Sequence, residues 1–270
     1  MPRPSVAVVA PLTGPHTAWG AVLLSQLERV RAVHPDAAEW HVHDETPQVA
    51  HTVVGAGYAA VVGHTDTEAA RRALPVYQAA GLACLLPFVR ADGPALSWGP
   101  DTDALARTIV EGAMALGTMA LAVAQDEGPD WTRLALGVAE EAGAAGLALG
   151  AGGGLAVLAS QDRFTHFVRG TGPVLTPVEC GLVSFAALCR AAREREVWAV
   201  HPQMCALRGA KTAVTALAQT LAEAPGLRGP ALTAAVRAHS GTLLTADGAL
   251  LGGGWLISRL PWVCPTRESL

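Results

Sequence analysis

The chain has 270 residues, of which 51% are hydrophobic and 16% charged, with a formal net charge of -4. That length exceeds a typical single domain, and the apolar content excludes a disordered, solvated chain. No stretch concentrates Lys or Arg, which excludes the electrostatic footprint of a nucleic-acid binder; the run Arg193-Glu194-Arg195-Glu196 is mixed in sign and reads as a solvated helix end.

Short Val/Ala/Leu-rich runs ending in Gly, Pro or Asp alternate with longer stretches of helical spacing, the signature of repeated βα units around parallel sheet. Val6 to Ala10 reads as a first strand and is too short for the apolar core of a secretion signal. The expected location is therefore cytoplasmic for the sequence as written, or extracytoplasmic if a leader precedes it. The turn Pro11-Leu12-Thr13-Gly14-Pro15 leads to a helix from Ala18 to Val33, with Leu23, Leu24, Leu27 and Val30 on one face. A strand over Glu39 to His43, a helix over Pro47 to Gly55 and an apolar strand over Ala59 to Gly63 follow. Thr67 stands where an N-cap belongs, ahead of a helix over Glu68 to Ala80 that Gly81 stops before the strand Leu82 to Leu86.

Asp92 to Pro100 is rich in turn formers, and a helix over Asp103 to Leu116 precedes a break near Gly117. A strand over Met119 to Ala124 then opens a second lobe. It is expected to hold a helix over Trp131 to Ala142, a weak strand near Leu147, strands at Leu155 to Ala159 and Val174 to Leu175, and few, short helices. An amphipathic helix over Lys211 to Leu221, another over Gly229 to Ala238 and apolar pieces at Leu250 and Trp255 to Leu260 complete the chain. The expected division is 1–117 with about 185–240 in one α/β lobe, and about 118–184 with 241–270 in a shortened second one. No apolar run free of Gly and charge is long enough to span a bilayer, so no membrane insertion is expected.

The cysteines, Cys84, Cys180, Cys189, Cys205 and Cys264, show neither C-x-x-C nor His-paired metal spacing, so buried free thiols are expected, with a Cys180–Cys189 pair left open. In parallel α/β sheets ligands sit at the carboxyl ends of strands, where free backbone N–H groups favour anions. Three loops qualify: Pro11 to Gly20 with Trp19, His64-Thr65-Asp66 to Thr67, and Pro87 to Arg90. A ligand carboxylate suits the Thr67 hydroxyl and helix turn, with a bidentate pair to Arg90, while Asp66 suits an ammonium or amide N–H. Thr67 reads equally as a plain N-cap, and Arg90 equally as a solvated side chain. Trp19 reads as a hydrophobic wall of the pocket or as a packed core ring, and the Gly/Pro loop before it favours the wall.

Catalytic signatures are weak: there is no G-x-S-x-G, G-x-x-x-x-G-K-[ST] or H-E-x-x-H. His41 and His43 with Asp44 read as a half-exposed strand face, because no third ligand is fixed nearby. Gly152-Gly153-Gly154 is a turn, and Ser160, His201 and Cys205 assemble into no triad by sequence alone. No cofactor, no metal and no enzymatic activity are expected.

Two blocks carry a family resemblance. Val6-Ala7-Val8-Val9-Ala10-Pro11-Leu12-Thr13-Gly14-Pro15 with Trp19-Gly20, then Ala60-Val61-Val62-Gly63-His64 with Ala73-Leu74-Pro75-Val76-Tyr77 and Gly81-Leu82, resemble the branched-chain amino-acid (Leu/Ile/Val) binding proteins of ABC importers. Thr245-Ala246-Asp247-Gly248 resembles a turn near that family's C-terminus.

The resemblance implies a two-lobed α/β periplasmic-binding-protein-like (type I) fold, with parallel sheets flanked by helices. It implies that Thr67 and the loop after Pro87 bind the α-carboxylate, that Thr65 in the loop before Thr67 is a further ligand contact, that Trp19 walls the pocket, and that a second lobe closes over the ligand. Phe88-Val89-Arg90 departs from the small residues usual in that loop, and the bulk of Phe88 shrinks the cavity. The chain is shorter than members of that family, and its deficit is expected between Gly143 and Lys211, where Glu179 is the expected partner of a ligand ammonium group and Gln161 a further contact.

The expected function is binding of an amino acid, amide or similar polar solute. The role is that of importer receptor or cytoplasmic sensor, with an ABC permease or a regulatory protein as partner and oligomerisation open. The alternative is a degenerate binding fold that serves as a protein-interaction or dimerisation module.

Overall fold

The computed structural model describes residues 3–14, 16–91, 93–159, 163–168, 172–178, 196–246, 248–249 and 254–260. The chain divides into two compact units, Met1–Pro100 with Ala206–Gly253 and Asp101–Cys205 with Gly254–Leu270.

The first unit is built on a five-stranded sheet in the order β2-β1-β3-β4-β5, every pair parallel. Its strands are β1 (Ser5–Ala10), β2 (Glu39–Asp44), β3 (Ala60–Val62), β4 (Ala83–Leu86) and β5 (Leu96–Ser97). Val6 to Ala10, β3 and β4 are buried throughout, as a parallel sheet covered on both faces requires. Each fully buried Val or Leu there contributes ~1.5–3 kcal/mol of apolar transfer. β2 is the edge strand, with Glu39, His41 and Val42 exposed and Trp40, His43 and Asp44 half-buried.

Helix α1 (Thr17–Val33) turns Leu23, Leu27 and Val30 inward and packs on α7 (Ala206–Glu223), which packs on α8 (Gly229–His239). Helices α2 (Val49–Gly55) and α3 (Thr67–Ala79) pack on one another. Strand β5 lies inside the segment that reads as turns, because two residues leave no periodic pattern.

The second unit carries a six-stranded sheet in the order β11-β10-β9-β8-β6-β7, parallel except for the antiparallel pair β10–β11. The strands are β6 (Ala120–Gln125), β7 (Ala148–Leu149), β8 (Gly154–Leu158), β9 (Val174–Pro177), β10 (Val197–Pro202) and β11 (Trp255–Arg259). Alternation along β8 splits its side chains between two cores. Ala156 and Leu158 pack with residues of α4 (Thr102–Ala115) and α5 (Pro129–Ala145), and Leu155 and Val157 with Phe164, the first residue of the short α6 (Phe164–Phe167), and Val197.

Three sequence expectations change here. α5 is 17 residues long, with Pro129 in its first turn and Gly146 left-handed (φ 71°) at its C-cap, so the unit's helices are not short. The α4 segment belongs to the second unit rather than the first, because its Gly112 lies against Ile257 of β11 and Leu175 of β9. Strand β10, unrecognised behind the polar run ending at Glu196, also lies in the second unit. Among the described residues, no helix is long and apolar enough to cross a membrane.

Both sheets share one order about their first strand. The second strand lies on one side and the third on the other, which creates switch points between β1 and β3 and between β6 and β8. In open α/β sheets the crevice outside the carboxyl ends at such a point is where ligands bind.

Candidate ligand-binding site

In the first unit the crevice is framed by the loops after β1, β2 and β3. Gly63 follows β3 with φ 135°, and a Cβ there would overlap the Val9 carbonyl oxygen, so only glycine lets the chain pass this close to β1. The turn carries His64 inward to 1% exposure. Its Nδ1 donates to Glu45 Oε1 at 2.9 Å, and its Nε2 lies 3.0 Å from the Tyr77 hydroxyl. Glu45, one residue beyond β2, also accepts the Thr65 hydroxyl at 2.6 Å and the Thr65 backbone N–H at 3.2 Å.

Burial alone would raise the Glu45 carboxyl, but hydrogen bonds from His64 and Thr65 outweigh it and hold the group below the ordinary glutamate value. Tyr77 is pushed well above its usual range by burial, reinforced by Cys84 and Glu45, and the buried Cys84 thiol is raised by burial itself. The result is a carboxylate, an imidazole and a protonated phenol in a hydrogen-bonded row behind the loop.

A second carboxylate from the same strand end organises the loop after β1. Asp44 Oδ1 accepts the Leu12 backbone N–H at 2.8 Å and Oδ2 accepts the Thr13 hydroxyl at 2.9 Å. The Leu12 N–H, then the Thr13 hydroxyl, lower its pKa. Gly20 of α1 sits against the Pro11 carbonyl, where a Cβ has no room, so the helix presses on this loop.

The sequence-derived candidates fall as follows. Thr65, Asp66 and Thr67 follow β3 and are half-buried. The N-cap of α3 is Asp66 rather than Thr67: Asp66 Oδ1 accepts the Ala69 N–H at 2.7 Å, and Thr67 is the first helical residue. Trp19 and Phe88 come together edge to face, with centroids 5.2 Å apart, so two side chains read separately pack on one another. Arg90 is half-buried in the loop after β4. Gln161 and Glu179 lie outside the described residues, as do Cys180, Cys189, Cys264 and Asp247.

His43 Nε2 meets the Tyr58 hydroxyl at 3.0 Å on the edge strand, and burial followed by the nearby His41 lowers its pKa. Among the described residues no group of three His, Cys, Asp or Glu could hold a metal. Cys84 and Cys205 are free thiols.

Sequence reasoning missed Glu45, His64 and Tyr77 as a unit. The available signal was an Asp-Glu pair at the end of a strand whose carboxyl edge borders the candidate loops.

In the second unit, buried Asp126 follows β6 at the corresponding switch point. Its Oδ1 is 2.7 Å from Arg163 Nη1 and accepts the Glu127 N–H at 2.8 Å. An open groove of about 410 Å³ lies along β6, β7 and α5, lined by Leu121, Val123, Ala135, Leu136 and Leu149. His201 Nε2 reaches Ser258 Oγ at 2.9 Å across the β10–β11 pair, with Nδ1 3.2 Å from the Pro202 carbonyl oxygen; burial lowers its pKa.

No protein-family model matches the sequence, and no curated protein matches it. Solved structures do match. A leucine-binding protein LivK from Thermotoga maritima aligns with a TM-score of 0.70 at 12% identity, over 94% of this chain and 97% of that one. The branched-chain amino-acid transporter substrate-binding protein LivJ from Streptococcus pneumoniae, solved with isoleucine, gives 0.66 at 11% identity over 96% and 100%. An ABC transporter substrate-binding protein from Desulfitobacterium hafniense, solved with leucine, gives 0.64 at 13% over 95% and 97%. At such identities the likeness is one of fold. The chain therefore has the α/β type I periplasmic-binding-protein-like fold, and what it resembles in structure are branched-chain amino-acid ABC transporter substrate-binding proteins.

Proposed function

We propose that the protein binds a small polar molecule of the amino-acid or amide class, as an importer receptor or a sensor, and does not transform it. The observation that carries this reading is the carboxyl-edge crevice of the first unit. Hydroxyl and backbone groups of Thr65 to Thr67 lie in the loop beside the β1–β3 switch point, the Trp19–Phe88 pair supplies an apolar wall, and Arg90 follows Phe88 by two residues. In this assignment Arg90 and Thr67 take a carboxylate, Asp66 takes a donor group, and Trp19 and Phe88 enclose the aliphatic part. The neighbours solved with isoleucine and leucine support that ligand class.

Binding is favoured over catalysis because the most enzyme-like constellation points away from solvent: His64 and Tyr77 are each 1% exposed, and both ring nitrogens of His64 are engaged. A second reading, an interaction module, has one observation in its favour, the apolar groove of the second unit with Leu136 and Leu149 exposed on it.

The test is a thermal-shift screen against amino acids, amides, short peptides and polyamines. A ligand at 100 times its Kd adds ~2.7 kcal/mol of stability. A saturable rise with one chemical class, lost in Thr67→Ala or Arg90→Ala, is the expected result; a flat response overturns the receptor reading and leaves the interaction module.

A further inference from the structure

The hydrogen-bond polarity of the crevice selects which end of the ligand it takes. An ionised carboxylate only accepts hydrogen bonds, so a hydroxyl 2.6 Å from Glu45 Oε2 must spend its single hydrogen there. That hydroxyl belongs to Thr65, whose backbone N–H is turned to the same carboxylate. Thr65 therefore has no donor left and can meet a ligand only through the lone pairs of its hydroxyl oxygen.

The loop on the other side of the switch point repeats the arrangement independently. The Thr13 hydroxyl donates to Asp44 Oδ2, and the Leu12 N–H donates to Asp44 Oδ1. Asp44 and Glu45 are adjacent residues at the end of β2, and β2 is paired with β1 through Ala10↔Asp44. One strand end thus converts a threonine in each of the two flanking loops from a potential donor into an acceptor. Asp66 adds a carboxylate beside Thr65, with one oxygen occupied by the Ala69 N–H.

The geometry points to Thr13 and Thr65 as the specificity-determining pair of the crevice, polarised by Asp44 and Glu45 to receive a nitrogen-bearing donor group, an ammonium or an amide N–H, and not a carboxylate. The inference rests on the proposed binding function and adds the orientation of the ligand: its nitrogen faces the β1–β3 crevice, and any carboxylate lies toward Arg90. It also adds Thr13, Asp44 and Glu45 to the residues that decide selectivity.

Three probes of one hydrocarbon size separate the contributions: isoamylamine, leucinamide and 4-methylpentanoate, titrated calorimetrically into the full chain. Thr13→Val/Thr65→Val should weaken both nitrogen-bearing probes about tenfold and leave 4-methylpentanoate within about twofold, with Thr13→Ser/Thr65→Ser restoring the loss. Asp44→Asn lies on the edge strand and tests polarity without emptying the core. Its amide can donate to Thr13, which frees the threonine hydrogen, so the ratio of isoamylamine to 4-methylpentanoate affinity should fall several-fold. Equal weakening of all three probes in the valine variant, or an unchanged ratio in Asp44→Asn, overturns the inference while the binding function stands. If isoamylamine and leucinamide fail to bind a protein that the amino-acid screen does stabilise, the inference alone falls. If nothing in either set binds, the receptor reading falls with it.

Discussion

Tyr77→Phe deletes one oxygen from a ring that is 1% exposed and leaves the packing of the ring in place. The lost hydroxyl lies 3.0 Å from His64 Nε2, and His64 is equally buried, so water cannot replace the partner. A buried polar atom left unsatisfied costs ~1–3 kcal/mol; removing a hydroxyl that was itself desolvated returns part of this, for a net loss of ~1–2 kcal/mol. In a protein of this size each kcal/mol moves Tm by ~2–4 °C, so melting should fall by ~2–8 °C. The assay is calorimetric unfolding at neutral pH, where the raised Tyr77 pKa keeps the phenol a donor. A double-mutant cycle with His64→Leu should show a coupling of at least ~0.5 kcal/mol, since neither residue retains its buried partner once the other is changed. A melting point unchanged within ~1 °C, or strictly additive losses, would refute the hydrogen-bonded row.

The remaining predictions concern the same edge. Glu45 has a folded pKa below its ordinary value of 4.5, so the folded state binds fewer protons in that window; the associated stability is full above 4.5 and disappears as pH falls through the folded value. The stability difference between wild type and Glu45→Gln, read from urea midpoints, should therefore shrink on acidification, and a pH-independent difference would contradict the assignment. Gly63→Ala forces a Cβ onto the Val9 carbonyl at φ 135° and should cost more than ~3 kcal/mol or prevent folding; near-wild-type circular dichroism and melting would show that the loop can move aside. Asp66→Ala removes the α3 N-cap and should cost ~1 kcal/mol, whereas Thr67→Ala should leave stability within ~0.5 kcal/mol, which chemical denaturation of the two variants compares directly.

Much of the fold was legible in the sequence because buried parallel strands leave continuous apolar runs. Val6 to Ala10, Ala60 to Val62 and Ala83 to Leu86 are visible in this way, and their separation by helical spacing announces βα units. What escaped was structure without period. Leu96–Ser97 is too short to alternate, and Val197–Pro202 follows a charged run that reads as the end of a helix. The partition at Gly117 misled for a different reason: composition does not record that α4 is claimed by β9 and β11 through packing at Gly112.

At the candidate site, loop position singles out Thr65 to Thr67 and Arg90, and the Gly/Pro turn singles out Trp19. The Glu45–His64–Tyr77 row joins residues 13 to 19 positions apart in contacts that no local pattern encodes. Its existence depends on β2 and β3 flanking β1 in the same sheet, which is a fact of topology before it is one of sequence.

The two sheets share one order about their first strand, and each holds a carboxylate just beyond a strand end, Glu45 after β2 and Asp126 after β6. A carboxylate taken out of water at a strand end has to be matched, or it shifts its pKa and neutralises. In the first unit Glu45 is matched by the donors of His64 and Thr65, and in the second Asp126 by the guanidinium of Arg163 and its own neighbour's N–H. Each anion is committed to holding its own loop, and what each can still do for a ligand is transmitted through the group it holds. Glu45 does so through an oxygen: a hydroxyl whose hydrogen is engaged becomes a better acceptor, so part of the buried negative charge reaches the crevice as the polarity of Thr65. Asp126 is matched by a cation that is half-exposed, so the second switch point shows solvent a guanidinium where the first shows hydroxyl oxygens. The two switch points share a topology and differ in which residue type each sheet places opposite its carboxylate, neutral donors in the first and a guanidinium in the second.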